Sequence, residues 1–192
     1  MFAPTTGSRQ EPLDGSVVLG IDPGLTRCGY AVLRAAGAAV TPLALGVIRT
    51  PAGNPLPQRL AELHHEIVGL LEQFRPGAVA VEQVFFQNNV RTAMSVGQAS
   101  GIALALGSAF GCDVVQFTPS QVKDSIAGWG GADKAQVQRM VQARLGLATA
   151  PRPADAADAA ALALAYLASA PLRRSVNAAR QARNAATERR PA

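Results

Sequence analysis

Cysteine, lysine and long hydrophobic runs are scarce in this sequence, and each scarcity excludes a class of protein. Cys28 and Cys112 are the two cysteines, too few for a disulfide framework and without metal-ligand spacing. We expect two reduced thiols, at least one of them buried. No run of about 18 apolar residues is present, and no basic segment followed by an apolar core opens the chain. We therefore expect neither a membrane span nor a secretory signal, and a cytoplasmic protein.

The hydrophobic content of 48% is sufficient for one compact domain, which we assign to residues 16–171. Residues 1–15 show no apolar periodicity, and residues 172–192 carry six Arg against one Glu. We expect both ends to be disordered, the first as an N-terminal extension and the second as an Arg-rich tail.

The formal net charge of +5 is unevenly distributed along the chain. The tail contributes +5, and residues 1–15 contribute −1, so the body carries +1. If four acids of the body gather in one site, the rest of the body surface carries +5, which suits a polyanion. A basic tail by itself is more often only a solubilising end.

A hairpin is predicted at the start of the domain. Residues 17–22 form an apolar, β-branched run, Pro23 and Gly24 favour a turn, and residues 30–33 suit the antiparallel return strand. Asp22 ends the first strand and can face a ligand at the edge of the sheet. Asp-Pro-Gly is also ordinary turn chemistry, because an Asp side chain can bond backbone amides two residues on.

The remaining elements alternate between helical and extended patterns. The pattern predicts strands at Thr41 to Arg49, Ala78 to Gln83 and Cys112 to Phe117, and helices at Leu56 to Phe74, Arg91 to Phe110, from Pro119, Asp133 to Leu145 and Pro151 to Leu167. His64 and His65 are neighbours on the first helix and point about 100° apart, so we expect surface histidines and not a pair on one ligand.

Glu82 gives a second carboxylate at the end of a strand. A strand reached through a crossover helix lies parallel to the first strand and beside it, which places Glu82 near Asp22. The alternative is a Glu paired with an Arg at the rim of the sheet.

Asp155 and Asp158 are three residues apart, so they share one face of the last helix. The surrounding alanines let that helix lie close to the sheet. The alternative is that both acids only meet the helix dipole and its free amides, since we expect them in the first turn.

Residues 84–89 form a loop with two adjacent aromatic rings, Phe85 and Phe86. Adjacent residues cannot both point inward, so at least one ring is expected to be exposed beside Glu82, where it could stack on a base. The helix that follows contains Gly97, Gly101 and Gly107, which favours close approach of another helix or of a second subunit.

Four carboxylates gathered without compensation repel one another, and their pKa values rise. Hard divalent cations resolve this conflict, because Mg²⁺ and Mn²⁺ prefer oxygen ligands. Two such ions can stabilise the attacking and leaving oxygens of a phosphodiester displacement. The composition thus permits a nuclease without proving one.

Several motifs together resemble the RuvC family of bacterial Holliday-junction resolvases. They follow the family's order over about residues 16–170: Leu19 to Gly24, Glu82 to Phe85, Gly97 to Ala99, Gln121 to Lys123, Lys134 to Gln138 and Ala154 to Asp158. The resemblance implies an α/β, ribonuclease-H-like fold with a mixed five-stranded sheet flanked by helices. It also implies a homodimer that nicks four-way junction DNA in pairs with Mg²⁺ or Mn²⁺, two ions per site, and that cooperates with the RuvA–RuvB branch-migration machine.

The resemblance assigns roles by position. Asp22, Glu82, Asp155 and Asp158 match the family's catalytic, metal-binding acids; Phe85 matches its junction-stacking aromatic residue; Lys123 and Lys134 match its DNA-contacting basic residues. The family sometimes has His in the last acidic motif, whereas both positions are Asp here. The two chain ends lie outside the matched motifs.

Two other classes share part of this pattern. An actin- or hexokinase-like phosphotransferase also uses a strand ending in Asp before a hairpin, but it requires a second such hairpin, which this chain lacks. A junction-binding protein without activity would need the basic surface but not four convergent acids.

Overall fold

The computed structural model describes residues 14–83 and 90–169. Five strands are present in this part of the chain: β1 (Asp14–Asp22), β2 (Arg27–Ala36), β3 (Ala39–Arg49), β4 (Pro76–Glu82) and β5 (Asp113–Phe117). Its helices are α1 (Leu56–Phe74), α2 (Val90–Ala109), α3 (Pro119–Ala127), α4 (Lys134–Arg144) and α5 (residues 154–169).

The strands form one mixed sheet in the order β3-β2-β1-β4-β5. β1, β2 and β3 form an antiparallel meander, whereas β4 pairs with β1, and β5 with β4, in parallel. The parallel partners are reached through α1 and α2, as crossover connections require. The predicted fold class, a mixed five-stranded sheet flanked by helices, is confirmed. β1, β3, β4 and β5 all end at one edge of the sheet, where β2 begins, and we call this edge the site edge.

Alternate residues of the strands face two separate cores. On one face, Val17, Leu19 and Ile21 of β1 pack with Leu63 and Ile67 of α1. On the other face, Val18 packs with the alanine-rich helix α5 and with α3 and α4. β1 is therefore buried on both sides, which explains its continuous apolar run.

Two glycines allow α5 to lie directly on the sheet. A Cβ atom on Gly20 of β1 would be 2.1 Å from the backbone oxygen of Ala159, and one on Gly29 of β2 would be 2.1 Å from that of Asp155. Side chains cannot be accommodated at such distances. These two positions, together with the small residues of α5, set how closely the helix approaches β1 and β2.

Several boundaries differ from those predicted. β1 begins at Asp14, so Asp14 and Gly15 belong to the sheet and not to the N-terminal extension. α1 ends as predicted, but Arg75 then adopts a left-handed conformation (φ 47°) and Pro76 already starts β4. α5 starts at residue 154, after Pro153, so Asp158 lies beyond its first turn. The predicted Arg-rich tail from 172 and most of the N-terminal extension lie outside the described residues.

The minor expectations about side chains are also met. His64 and His65 are exposed on α1. Cys28 and Cys112 are free and buried. Within the described ranges, none of the helices has the length and hydropathy that crossing a membrane requires.

Candidate active site

The two acids at strand ends share one face of the sheet. Asp22 continues the series of Val18 and Gly20 on β1, and Glu82 continues that of Ala78 and Ala80 on β4; all of these inner residues face α5. Ile21 pairs with Val81 in the parallel register of β1 and β4, so the next residues, Asp22 and Glu82, lie side by side at the site edge. The predicted proximity of these two carboxylates follows directly from strand register.

The seat of α5 on the sheet brings the helical acids to the same edge. Gly29 is the direct cross-strand partner of Asp22, and the backbone of Asp155 packs against Gly29. Asp158 follows three residues later on the same face of the helix. The absence of a side chain at Gly29 therefore places the start of α5 beside the end of β1.

A cleft of about 290 Å³ opens at this edge, and its walls combine acids, lysines and apolar side chains. Asp22, Glu82 and Asp158 line it, as do both lysines of the chain, Lys123 and Lys134. Asp155 is not among the lining residues, although its charge acts on Asp22. Three of the four predicted acids and both predicted basic residues thus share one cavity.

Capping boxes fix the two helices that carry the lysines. Thr118 caps α3 by accepting a hydrogen bond from the backbone N–H of Gln121, whose side chain accepts one from Thr118 in return. Asp133 and Gln136 make the same reciprocal pair at the start of α4. Such caps stabilise a helix by about 1 kcal/mol. Lys123 and Lys134 therefore extend into the cleft from firmly started helices.

The strand-end acids carry poorly compensated charge. Burial, together with the nearby charges of Glu82, Asp158 and Asp155, raises the pKa of Asp22 to about 7. Burial and the charge of Asp158 also raise the pKa of Glu82 above its usual range. Lys134 opposes both shifts without cancelling them. None of the three ion pairs among residues 14–83 and 90–169 includes Glu82, which argues against a simple rim ion pair.

The helical acids, by contrast, are each held by a cation. Both Nε and Nη2 of Arg27 donate to Oδ2 of Asp155, and the Nε bond measures 3.1 Å. This guanidinium holds the pKa of Asp155 below its usual value. Lys134 Nζ donates to Asp158 Oδ2 at 2.7 Å, and that hydrogen bond raises the pKa of Lys134.

The donor set fits a hard divalent cation. Its acids supply oxygen ligands only, as Mg²⁺ and Mn²⁺ prefer, and the raised pKa values of Asp22 and Glu82 show negative charge that a cation would stabilise. In the described part of the chain, no three metal-ligating side chains already converge on one point. Arg27 and Lys134 hold Asp155 and Asp158, so the four acids do not yet form a coordination shell.

One predicted residue and one missed residue complete the inventory of the site. Phe85 lies outside the described residues, so its role stays a prediction. Arg27 was not singled out in the sequence. Its signal was its spacing: it stands two residues before Gly29, and side chains two apart on a strand share a face. Recognising this required knowing that α5 packs on Gly29.

Comparison with known proteins places this geometry in context. Residues 18–166 match the family described as crossover junction endodeoxyribonuclease RuvC. The chain is 49% identical over 155 residues to the crossover junction endodeoxyribonuclease RuvC of Corynebacterium jeikeium, covering 80% of this chain and 95% of that relative.

Solved structures agree with the sequence comparison. The RuvC structure of Thermus thermophilus superposes with a TM-score of 0.76 at 40% identity, covering 81% of this chain and 96% of that one. The same relative in complex with a Holliday junction substrate gives a TM-score of 0.75 at 38% identity, with the same coverage of both chains.

Proposed function

This chain belongs to the RuvC family of crossover junction endodeoxyribonucleases, and we propose that it resolves four-way DNA junctions at the cleft between β1, β4 and α5. The single observation that carries this assignment of the site is the gathering of Asp22, Glu82 and Asp158 with Lys123 and Lys134 in one cavity. Acids for metal ions and cations for phosphates are the two requirements of phosphodiester hydrolysis.

Nucleases of this family depend on metal ions, and we propose Mg²⁺ or Mn²⁺, two per site. Asp22, Glu82 and Asp158 would hold them, joined by Asp155 next to the cleft. Bound ions supply Lewis acidity and charge neutralisation for in-line hydrolysis. The acids themselves orient the site, and the apolar wall formed by Val122, Val137 and Leu162 limits access of water.

Lys123 and Lys134 are proposed to contact DNA phosphates next to the cut. Lys134 is 63% exposed even while paired with Asp158, so its ammonium group is accessible from solvent. Phe85, three residues after Glu82 in the sequence, is proposed to stack on a base that unpairs at the crossover. Phe85→Ala should then cut intact junctions poorly, and a junction with bases already unpaired at the crossover should partly restore cutting.

We propose that the enzyme is a homodimer through α2. One stripe of this helix is exposed and consists mostly of small residues: Met94, Gly97, Gly101, Ala105 and Ser108. Among the described residues, nothing lies within 4 Å of the space a Cβ would fill at Gly97 or Gly101. Small residues at such spacing permit a second helix to pack closely. Gly101→Glu should give a monomer in analytical ultracentrifugation.

Cooperation with the RuvA–RuvB machine and a cytoplasmic location remain proposals that rest on family membership. Paired nicking requires two sites, and a homodimer would supply them. A branch-migration machine would bring the junction to the preferred cutting position. Co-sedimentation with junction-bound RuvA–RuvB would test the first proposal.

The decisive experiment for the function compares a four-way junction with a linear duplex of the same sequence, with and without Mg²⁺ or Mn²⁺. We expect paired nicks in the junction only, and only with metal. Metal-independent binding of the junction without any nicking would favour a junction-binding protein. Transfer of phosphate from a nucleotide would favour the phosphotransferase class.

A further inference from the structure

A pair of arginines stands at the site edge on the side away from the lysines. Arg27 begins β2 and Arg49 ends β3, and the two are direct cross-strand partners. We call Arg27 and Arg49 the arginine rim. Arg49 is exposed, and the side chain of Arg27 is 38% exposed.

Strand alternation places the arginine rim on the same face of the sheet as the acids. Cys28 and Ile48 are buried in the core that α1 covers, so their neighbours Arg27 and Arg49 point to the opposite face. That is the face on which Asp22 and Glu82 lie. The arginine rim, the acids and the cleft therefore open to the same side of the molecule.

Sheet order sets the arginine rim and the lysines on opposite sides of the acids. Across the site edge run β3 and β2 with the arginine rim, then β1 and β4 with Asp22 and Glu82, then β5, which leads into α3 and Lys123. Strands are spaced about 4.8 Å apart, so Arg49 stands roughly 10 Å from Asp22. A DNA strand crossing the acids would thus meet cations before and after the cut position.

Two arginines directly opposite each other repel unless something negative lies between them. Asp155 answers this for Arg27, whose Nε and Nη2 groups donate to it. A guanidinium has five N–H donors, so three of those of Arg27 remain for another acceptor. Within the described residues, Arg49 is in none of the ion pairs. The excess positive charge suits a phosphate.

The arginine rim is also held in place. Arg59 of α1 donates from Nε to Thr50 Oγ1 at 2.9 Å and from Nη2 to Thr26 Oγ1 at 2.6 Å. Thr26 and Thr50 flank Arg27 and Arg49 in the sequence, so this clamp fixes the start of β2 against the end of β3. A fixed pair of guanidinium groups is pre-organised for phosphate oxygens.

We propose that the arginine rim is a second phosphate-contacting site, which binds the cut strand on the side of the scissile phosphate opposite to Lys123 and Lys134. This inference rests on the proposed function, because it extends the DNA path through the same cleft. It assigns the DNA footprint to both halves of the site edge and gives Arg27 two partners, Asp155 and DNA.

The test uses the full chain, Arg49→Gln, and Arg34→Gln as a matched control. Arg34 lies on β2 as Arg27 does, but towards the opposite end of the strand and 3.6 Å from Asp14. Junction affinity is measured against salt concentration without divalent metal. We expect Arg49→Gln to bind several-fold more weakly, with the salt slope reduced by about 0.9, the value for one lost phosphate contact. Arg34→Gln should match the wild type.

A scan of neutral methylphosphonates along the cut strand then locates the contact. The position to which Arg49→Gln is no longer sensitive should lie on the opposite side of the cut from the position lost in Lys123→Gln. In cleavage, Arg49→Gln should raise KM and keep kcat. Wild-type salt slope in Arg49→Gln, or loss of sensitivity on the lysine side, would overturn the inference. A wild-type enzyme that does not cut junctions would instead overturn the proposed function.

Discussion

The acids at the strand ends and the acids on α5 are held in opposite ways. Asp22 and Glu82 are partly buried, and their pKa values are raised by burial and by mutual repulsion. Asp155 and Asp158 lie against Arg27 and Lys134, and Arg27 lowers the pKa of Asp155. The strand acids thus carry the charge that needs a cation from outside, while the helix acids already have one from the chain.

This difference follows from where the backbone is fixed. Strand register sets Asp22 beside Glu82 in a sheet that cannot relax, so their repulsion is built into the fold. The helical acids reach the site only because α5 packs on Gly20 and Gly29, and flexible cations can approach them from β2 and α4. We infer that the strand acids determine metal binding and that the helix acids complete it.

The largest expected effect is on cleavage by Asp22→Asn. An amide removes the charge that binds metal but no cation that binds phosphate, so we expect nicking to fall by about three orders of magnitude or more while junction affinity stays within a few-fold. Single-turnover cleavage and metal-free binding measure the two quantities. Asp14→Asn, at the other end of β1, is the matched control and should cut normally. Near-normal nicking by Asp22→Asn would remove the strand acids from the account.

The next effect is on the pH dependence of metal affinity. Because the pKa of Asp22 is about 7 without metal, a proton must leave when metal binds below that pH. Metal affinity should therefore fall as the pH is lowered from about 7, by roughly tenfold per pH unit for one released proton. Calorimetry in two buffers of different ionisation enthalpy measures the proton release. Affinity that is flat from pH 7.5 to 5.5 would contradict the raised pKa.

Asp22→Asn should also stabilise the metal-free protein. The folded pKa of Asp22 exceeds the unfolded value, so stability is full below about pH 4 and is lost as the pH rises towards 7. Removing the carboxylate should raise Tm at pH 8 by roughly 5 °C, taking about 2 kcal/mol and 2–4 °C per kcal/mol. The gain should vanish near pH 4. Thermal melts at both pH values check this, and an equal gain at both would point to a packing effect instead.

Asp155→Asn is expected to give the smallest change, in the opposite direction. It leaves Arg27 without its carboxylate partner, and a partly exposed ion pair contributes about 0–1 kcal/mol. Tm at pH 8 should therefore fall by roughly 1–3 °C. A rise comparable to that of Asp22→Asn would show that the helix acids are as poorly compensated as the strand acids, and the comparison would fail.

The sequence predicted the elements and the acids because each left a local pattern. Asp22 and Glu82 end apolar runs, and α1 shows helical periodicity along the whole of Leu56–Phe74. What it could not show was how α5 meets the sheet. That depends on Gly20 and Gly29 opposing Ala159 and Asp155, contacts between segments more than a hundred residues apart.

The same long-range packing explains the ion pairs that were missed. Nothing near Arg27 in the sequence marks it as a partner of Asp155, and nothing near Lys134 marks it as a partner of Asp158. The start of α5 was placed too early for a related reason, because a proline at residue 151 suits a first helical turn, yet the helix begins only after Pro153.

The most direct test of the central claim is a calorimetric titration of Mn²⁺ into the wild type, Asp22→Asn and Asp155→Asn at pH 8. We predict two bound ions per chain in the wild type, loss of measurable binding at least at one site in Asp22→Asn, and binding weakened but still present in Asp155→Asn. Asp22→Asn that binds Mn²⁺ as the wild type does, with Asp155→Asn losing it, would contradict the claim that the strand acids determine metal binding.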